Sequence, residues 1–212
     1  MTGISPEHIK LESGIARLGL DVPSGAVDDL CSYMVLLKEW SATYNLIAPR
    51  ERDFLLARHV LDSLSIAKWL QDGSLLDVGT GAGLPGLPLA MVKPEMQVTL
   101  LDSGGKKIRF IRHVVRSLKI ANIHPIHQRI EDLDQEQPFA NITSRAFASL
   151  KAFAEASRSC ANASSRLLAM KGTRPDKELE ELPEWVTVES IEQLTVPYLH
   201  AERHLVIMSV RN

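Results

Sequence analysis

The twelve residues Leu75-Leu76-Asp77-Val78-Gly79-Thr80-Gly81-Ala82-Gly83-Leu84-Pro85-Gly86 constrain the fold more than any other stretch of the chain. An apolar run ends in a glycine-rich turn and gives way to a helix-like segment. A parallel α/β sheet presents its backbone to a nucleotide-like ligand in this way. Pro85 suits the first turn of the following helix, where its missing N–H costs nothing. A second apolar run, Val98 to Leu101, delivers Asp102 about 23 residues after Gly79. That is near the spacing at which a carboxylate grips a ribose, roughly 20 residues on. The pattern calls for a Rossmann-like α/β sheet and a nucleoside-bearing cofactor.

Two cofactors compete for the turn. From Gly81, the spacing Gly81-x-Gly83-x-x-Gly86 fits a dinucleotide fingerprint by register alone. From Asp77, it reads Asp-x-Gly-x-Gly-x-Gly, the arrangement of methyltransferases that use S-adenosylmethionine. A pyrophosphate needs the first glycine directly after the strand, yet the strand ends near Val78 and Pro85 falls inside the fingerprint. Asp77 favours a ligand carrying an amino group and a sulfonium, because a carboxylate repels phosphate and attracts cations. These residues favour S-adenosylmethionine over NAD.

The 212 residues leave room for one α/β domain with a modest extension. No apolar run is long enough to span a bilayer, and the N-terminus lacks a basic-then-apolar leader pattern. Cys31 and Cys160 match no metal-ligand spacing and read as buried thiols of a reduced compartment. A cytoplasmic monomer without metal or membrane partner is the expectation. The net charge of −2 carries no global mark of nucleic-acid binding, so any such surface has to come from local clustering.

Residues 1–71 contain no convincing strand. Ser5-Pro6-Glu7 resembles a helix start, followed by Leu11, Ile15 and Leu18 at helical spacing up to Gly19. Pro23-Ser24 opens a second helix leading into Trp40, and a third is expected from Arg52 to Trp69. Asp72-Gly73 marks the break before a domain of residues 72–212. There, strands are expected near 74–78, 97–101, 123–126, 140–144 and 166–170, alternating with helices. Val186–Val188 and Leu194–Val196 read as one interrupted strand and His204–Val210 as another, giving the sheet an antiparallel end.

Between Ser103 and Lys119 there are six Lys or Arg residues and no acidic one. Lys106, Arg109, Arg112, His113 and Arg116 share one helical arc, and Phe110, Ile111, Val114, Val115 and Leu118 the opposite one. An ordinary amphipathic helix would show the same pattern. Its start beside the cofactor edge of the sheet favours RNA or another polyanion, with Lys106, Lys107, Arg109, Arg112 and Arg116 as the RNA contacts.

Methyl transfer is a displacement that needs an exposed lone pair in line with the methyl group. Carbon-5 of a pyrimidine requires a covalent nucleophile, and neither cysteine lies at an expected strand end. Exocyclic amines call for an Asn/Asp-Pro-Pro-aromatic motif after the fourth strand. The chain has Asn141-Ile142-Thr143-Ser144-Arg145-Ala146-Phe147 there instead. Guanine N7 carries a lone pair in the ring plane and no proton, so positioning suffices and no catalytic base need be present. Arg145, at the end of that strand, suits a carboxylate or phosphate. Glu131 falls near the expected adenine end, while His59 and Asp62 read as a helix-surface pair.

The glycine loop, Leu101-Asp102-Ser103 with Lys106-Lys107, and Ser144-Arg145-Ala146-Phe147-Ala148-Ser149-Leu150 together resemble the RsmG (GidB) family. Trp40 with Tyr44-Asn45-Leu46, Arg58 to Leu64, Met170-Lys171-Gly172 and Glu202-Arg203-His204-Leu205 extend the likeness over nearly the whole chain. The stretch Ile47 to Arg52 departs from the family's usual pattern, in which Thr commonly follows Asn-Leu. The resemblance implies a bacterial cytoplasmic methyltransferase that uses S-adenosylmethionine to methylate N7 of guanosine 527 in 16S ribosomal RNA. It also implies that Gly79 and Leu84 line the cofactor, beside Asp77, Gly81 and Gly83, which the loop motif itself offers as cofactor contacts. Asp102 would hold the ribose, Ile130 and Glu131 flank the adenosine, and Arg145 complete the pocket. Two other readings stay open: an NAD-linked oxidoreductase, and a module that binds S-adenosylmethionine and RNA without turnover.

Overall fold

The computed structural model describes residues 5–134, 136–145 and 147–211. Ala146 of the Ser144–Leu150 motif lies outside the described residues. Seven strands form one sheet: β1 (Ser74–Val78), β2 (Gln97–Asp102), β3 (Ile123–His127), β4 (Asn141–Ser144), β5 (Arg166–Lys171), β6 (Val186–Gln193) and β7 (His204–Val210). Their spatial order is β3-β2-β1-β4-β5-β7-β6. The first five run parallel, and β7 pairs antiparallel with both β5 and β6, giving the expected antiparallel end. Leu194–Val196 lies beyond β6. The break in that strand is a register shift between Val188 and Ser190 instead.

Period-2 alternation sorts the side chains onto two faces. Leu75, Val98, Leu100 and Leu168 join one apolar cluster, while Leu76, Val78, Leu101 and Leu167 join the other. The first cluster also takes in the N-terminal helices, α4 (Gly86–Val92) and α5 (Gly105–Leu118), so the helical region closes one face of the sheet. Strand order reverses about β1, whose neighbours are β2 and β4. Open α/β sheets bind ligands at the carboxyl ends of the strands flanking such a reversal.

Helix α1 (Pro6–Arg17) begins as expected: Ser5 Oγ accepts from the His8 N–H at 3.1 Å, and Pro6 fills the first turn. Helix α2 (Ala26–Tyr44) starts later than Pro23-Ser24, because the chain first passes Gly25 at φ 90°. The single helix expected over Arg52–Trp69 is not formed. The chain makes a 3-10 turn (Pro49–Phe54), a wide π turn (Leu55–Leu61), the short α3 (Asp62–Leu64) and another 3-10 turn (Ala67–Trp69). Ser63 Oγ donates to the His59 carbonyl and Ser65 Oγ to that of Asp62, both at 2.6 Å. Such back-bonding competes with a regular helix ladder. Cys160 is buried, whereas Cys31 is only half-buried, contrary to expectation. Among the described residues no helix is long and apolar enough to cross a membrane.

Candidate active site

Asp77 shares its strand face with Leu75, so alternation turns it beneath the loop and toward α4. Its Oδ2 accepts from Thr80 Oγ1 at 2.6 Å and from the Gly86 N–H at 2.8 Å, bracing the turn at both ends. The residue is fully buried and Oδ1 has no hydrogen-bond partner. Burial pushes the carboxyl pKa up to about 6, against the pull of the Thr80 and Gly86 donors. The expected contact between Asp77 and a cationic ligand therefore gives way to a clamp that sets the shape of the loop. Gly83 also serves packing, since a Cβ there would sit 2.2 Å from Leu87. Pro85 precedes α4 rather than opening it, and the Leu84–Pro85 peptide is cis.

Asp102 closes β2 on the open side of the loop. Oδ2 accepts from the Gly81 N–H at 2.9 Å and Lys107 Nζ at 3.1 Å, and Oδ1 from the Gly104 N–H at 2.7 Å. Gly79, Asp102, Ile130 and Glu131 line a cavity of about 240 Å³. A neighbouring cavity of about 350 Å³ is lined by Gly79, Gly81, Leu84, Lys107 and Arg145. The two share Gly79 and Lys107 and follow the carboxyl edge of the sheet. Lys107 lines this crevice while remaining exposed, and Lys106, Arg109, Arg112 and Arg116 are exposed along the rest of α5.

A third cavity, about 710 Å³, meets the second at Glu51, His59 and Arg145. Asp62, read from sequence as a helix-surface residue, is 4% exposed at its wall. Its Oδ1 accepts from Arg203 Nε at 2.9 Å, and its Oδ2 lies 3.4 Å from Arg145 Nη1. Burial raises its pKa while the two guanidinium groups oppose that rise. His59 Nδ1 lies 3.4 Å from Arg145 Nη2. Burial first, and then Arg145, lower the His59 pKa to about 4, leaving the imidazole neutral at neutral pH. Arg58 Nη1 reaches both Glu51 oxygens, at 3.0 and 3.2 Å. The wide π turn carries Arg58 and His59 and runs directly into α3, whose first residue is Asp62, and helical periodicity gave no sign of it.

Tyr33 was also missed in the sequence, where it sits among the apolar positions of α2. Its buried hydroxyl donates to the Ala82 carbonyl at 2.9 Å and ties the helical region to the glycine loop. No cluster of metal-ligating side chains occurs among the described residues.

Residues 26–206 match the family model described as rRNA small subunit methyltransferase G. The chain is 43% identical over 208 residues to ribosomal RNA small subunit methyltransferase G of Pseudomonas entomophila, covering 97% of this chain and 96% of the relative. It is 44% identical over 200 residues to the Yersinia enterocolitica protein of the same name, covering 94% and 97%. Among solved structures, TrmN from Thermus thermophilus superposes with a TM-score of 0.57 at 16% identity, over 82% of this chain and 52% of that one. TYW2 from Pyrococcus horikoshii, in complex with MeSAdo, gives 0.57 at 15% identity, over 72% and 62%. These two distant likenesses support the fold, whereas the near relatives and the family model settle kinship. The chain belongs to the rRNA small subunit methyltransferase G (GidB) family of S-adenosylmethionine-dependent rRNA methyltransferases.

Proposed function

We propose that this protein methylates N7 of guanosine 527 in the 16S rRNA of the small ribosomal subunit. The observation that carries the reading is continuity: three cavities form one crevice, joined at Gly79 and Lys107 and again at Glu51, His59 and Arg145. The first two fit S-adenosylmethionine. A Cβ built on Gly81 would meet only the Gly79 carbonyl oxygen, at 4.0 Å, so the space over the loop is open to a ligand. Gly79, Gly81 and Leu84 would line the donor, Asp102 would hold its ribose, Ile130 and Glu131 its adenosine end, and Arg145 its far end. Asp77 and Gly83 support it from beneath. Residues 1–71 then act as the helical cover of the methyltransferase domain, 72–212.

When bound, S-adenosylmethionine supplies an electrophilic methyl group. The chain contributes orientation and charge. Guanine N7 has no proton to lose, which suits a junction whose histidine is neutral and whose carboxylates, Glu51 and Asp62, are tied to arginines. Neutral His59 adds no positive charge beside a purine that becomes cationic on methylation, and the two carboxylates offset the guanidinium groups. Arg145 and Arg203, bridged by Asp62, present donors to the phosphates or O6 of an entering nucleotide.

The test is to incubate the protein with methyl-labelled S-adenosylmethionine and small subunits from a strain lacking the activity, then map the label. Label at N7 of guanosine 527 supports the proposal. Label on another nucleotide, or no transfer at all, overturns it.

A further inference from the structure

A separate cavity of about 450 Å³ lies between the C-terminal end of α2 and helix α5. Its walls are Trp40, His113 and His127 together with Arg109, Arg112 and Arg116. The volume is within the usual range for small-molecule pockets, about 300–1,000 Å³. His113, expected on the solvent stripe of α5, instead packs against Trp40 with ring centroids 5.2 Å apart. Trp40 is seated in turn on Phe110 at 5.5 Å and Tyr44 at 5.2 Å. An aromatic wall therefore faces a guanidinium cluster.

No ion pair among the described residues occupies those guanidinium groups. Among the described residues, Arg109, Arg112 and Arg116 have no carboxylate within 4 Å. Arg58, Arg145 and Arg203, by contrast, are all ion-paired. Three uncompensated arginines around an aromatic wall suit a ligand that is both anionic and planar. The cavity is also next to the reaction crevice, because Lys107 of the same helix lines that crevice. From Lys107 to Arg112 is about 7.5 Å along the helix axis at ~1.5 Å per residue.

We propose that this cavity is a second nucleotide subsite. It takes one unpaired nucleotide of the RNA substrate, with the base against the Trp40–His113 wall and the phosphates on Arg109, Arg112 and Arg116. A base on an aromatic surface binds without sequence preference, and the arginines add salt-dependent attraction to the backbone. The subsite holds the strand beside the target guanosine and so fixes the target's approach to the crevice. The inference rests on the rRNA methyltransferase reading above.

The test uses the full chain with Trp69→Phe and Trp185→Phe, so that Trp40 is its sole tryptophan. The probes are a single-stranded heptaribonucleotide, the same length of abasic ribose-phosphate, and heparin. The heptaribonucleotide should quench Trp40 emission and bind at least tenfold more tightly than the abasic chain. In the same background, Arg112→Ala with Arg116→Ala should weaken heptaribonucleotide binding tenfold or more and lower its salt slope by about 1.4, at ~0.7 per single-strand phosphate. Unchanged S-adenosylmethionine affinity and an unchanged melting curve show that the double variant is folded.

Equal binding of all three probes with no tryptophan response overturns the subsite, as does unaltered RNA affinity in the double variant. Methylation of small subunits by the unmutated chain is scored separately. Methylation together with a silent pocket refutes the subsite alone. Absence of methylation refutes the rRNA reading whatever the pocket binds.

Discussion

Asp77 shows how one buried carboxyl can couple a ligand loop to pH. Its pKa of about 6 lies above the ordinary 3.8, so the fold favours the protonated form. Its contribution to stability is fully present below about pH 3.8 and is lost as pH rises through about 6. Asp77→Asn should keep an acceptor oxygen for Thr80 and Gly86 while removing this titration. The stability of the variant relative to the unmutated chain should then rise by up to about 3 kcal/mol between pH 4 and pH 7, at ~1.36 kcal/mol per unit. Urea unfolding across that range measures it, and a pH-independent difference would contradict it. The motif made Asp77 visible as a residue of interest. Which way it points depended on strand register, and register placed it under α4. Asp62 was less legible still, because its partners Arg145 and Arg203 come from distant parts of the chain.

Among the elements, the glycine loop and α5 were readable because their signals are local: spacing, charge and apolar periodicity. The segment from Pro49 to Trp69 was not. Leu55, Leu56, Val60, Leu61 and Leu64 are all buried, so the apolar pattern of a helix persists through a π turn that is no ordinary helix. π turns of this kind often accompany functional sites, where they redirect side chains. The tether from α2 to the loop was equally hidden, since nothing in the sequence distinguishes Tyr33 from a core aromatic residue. Tyr33→Phe removes the hydroxyl that donates to Ala82 and leaves a buried carbonyl short of a partner, at a cost of about 1 kcal/mol. It should also weaken S-adenosylmethionine binding about fivefold by loosening the loop. Calorimetric titration checks this, and unaltered affinity would mean that the loop holds its shape without α2.

At the scale of the whole molecule, alternation of strands and helices was enough to anticipate the parallel sheet and its antiparallel end. The order in which the strands lie, and hence the crevice at the reversal about β1, is a tertiary outcome that the sequence does not spell out. Overall charge is likewise uninformative here. A chain of net charge −2 carries five exposed cations along one helix, Lys106, Lys107, Arg109, Arg112 and Arg116, and local clustering governs polyanion binding. Replacing Arg109, Arg112 and Arg116 with Glu should weaken binding to small subunits and flatten its salt dependence, leaving S-adenosylmethionine affinity unaltered. An unchanged salt slope would reduce α5 to an ordinary amphipathic helix. The central claim is physical continuity between a donor crevice and a substrate cavity. A crystal structure with S-adenosylmethionine bound tests it most directly. The donor should lie against Gly79 and Gly81, its ribose on Asp102 and its methyl group toward the junction of Glu51, His59 and Arg145. A donor bound elsewhere, or with its methyl group facing away from that junction, would contradict the claim.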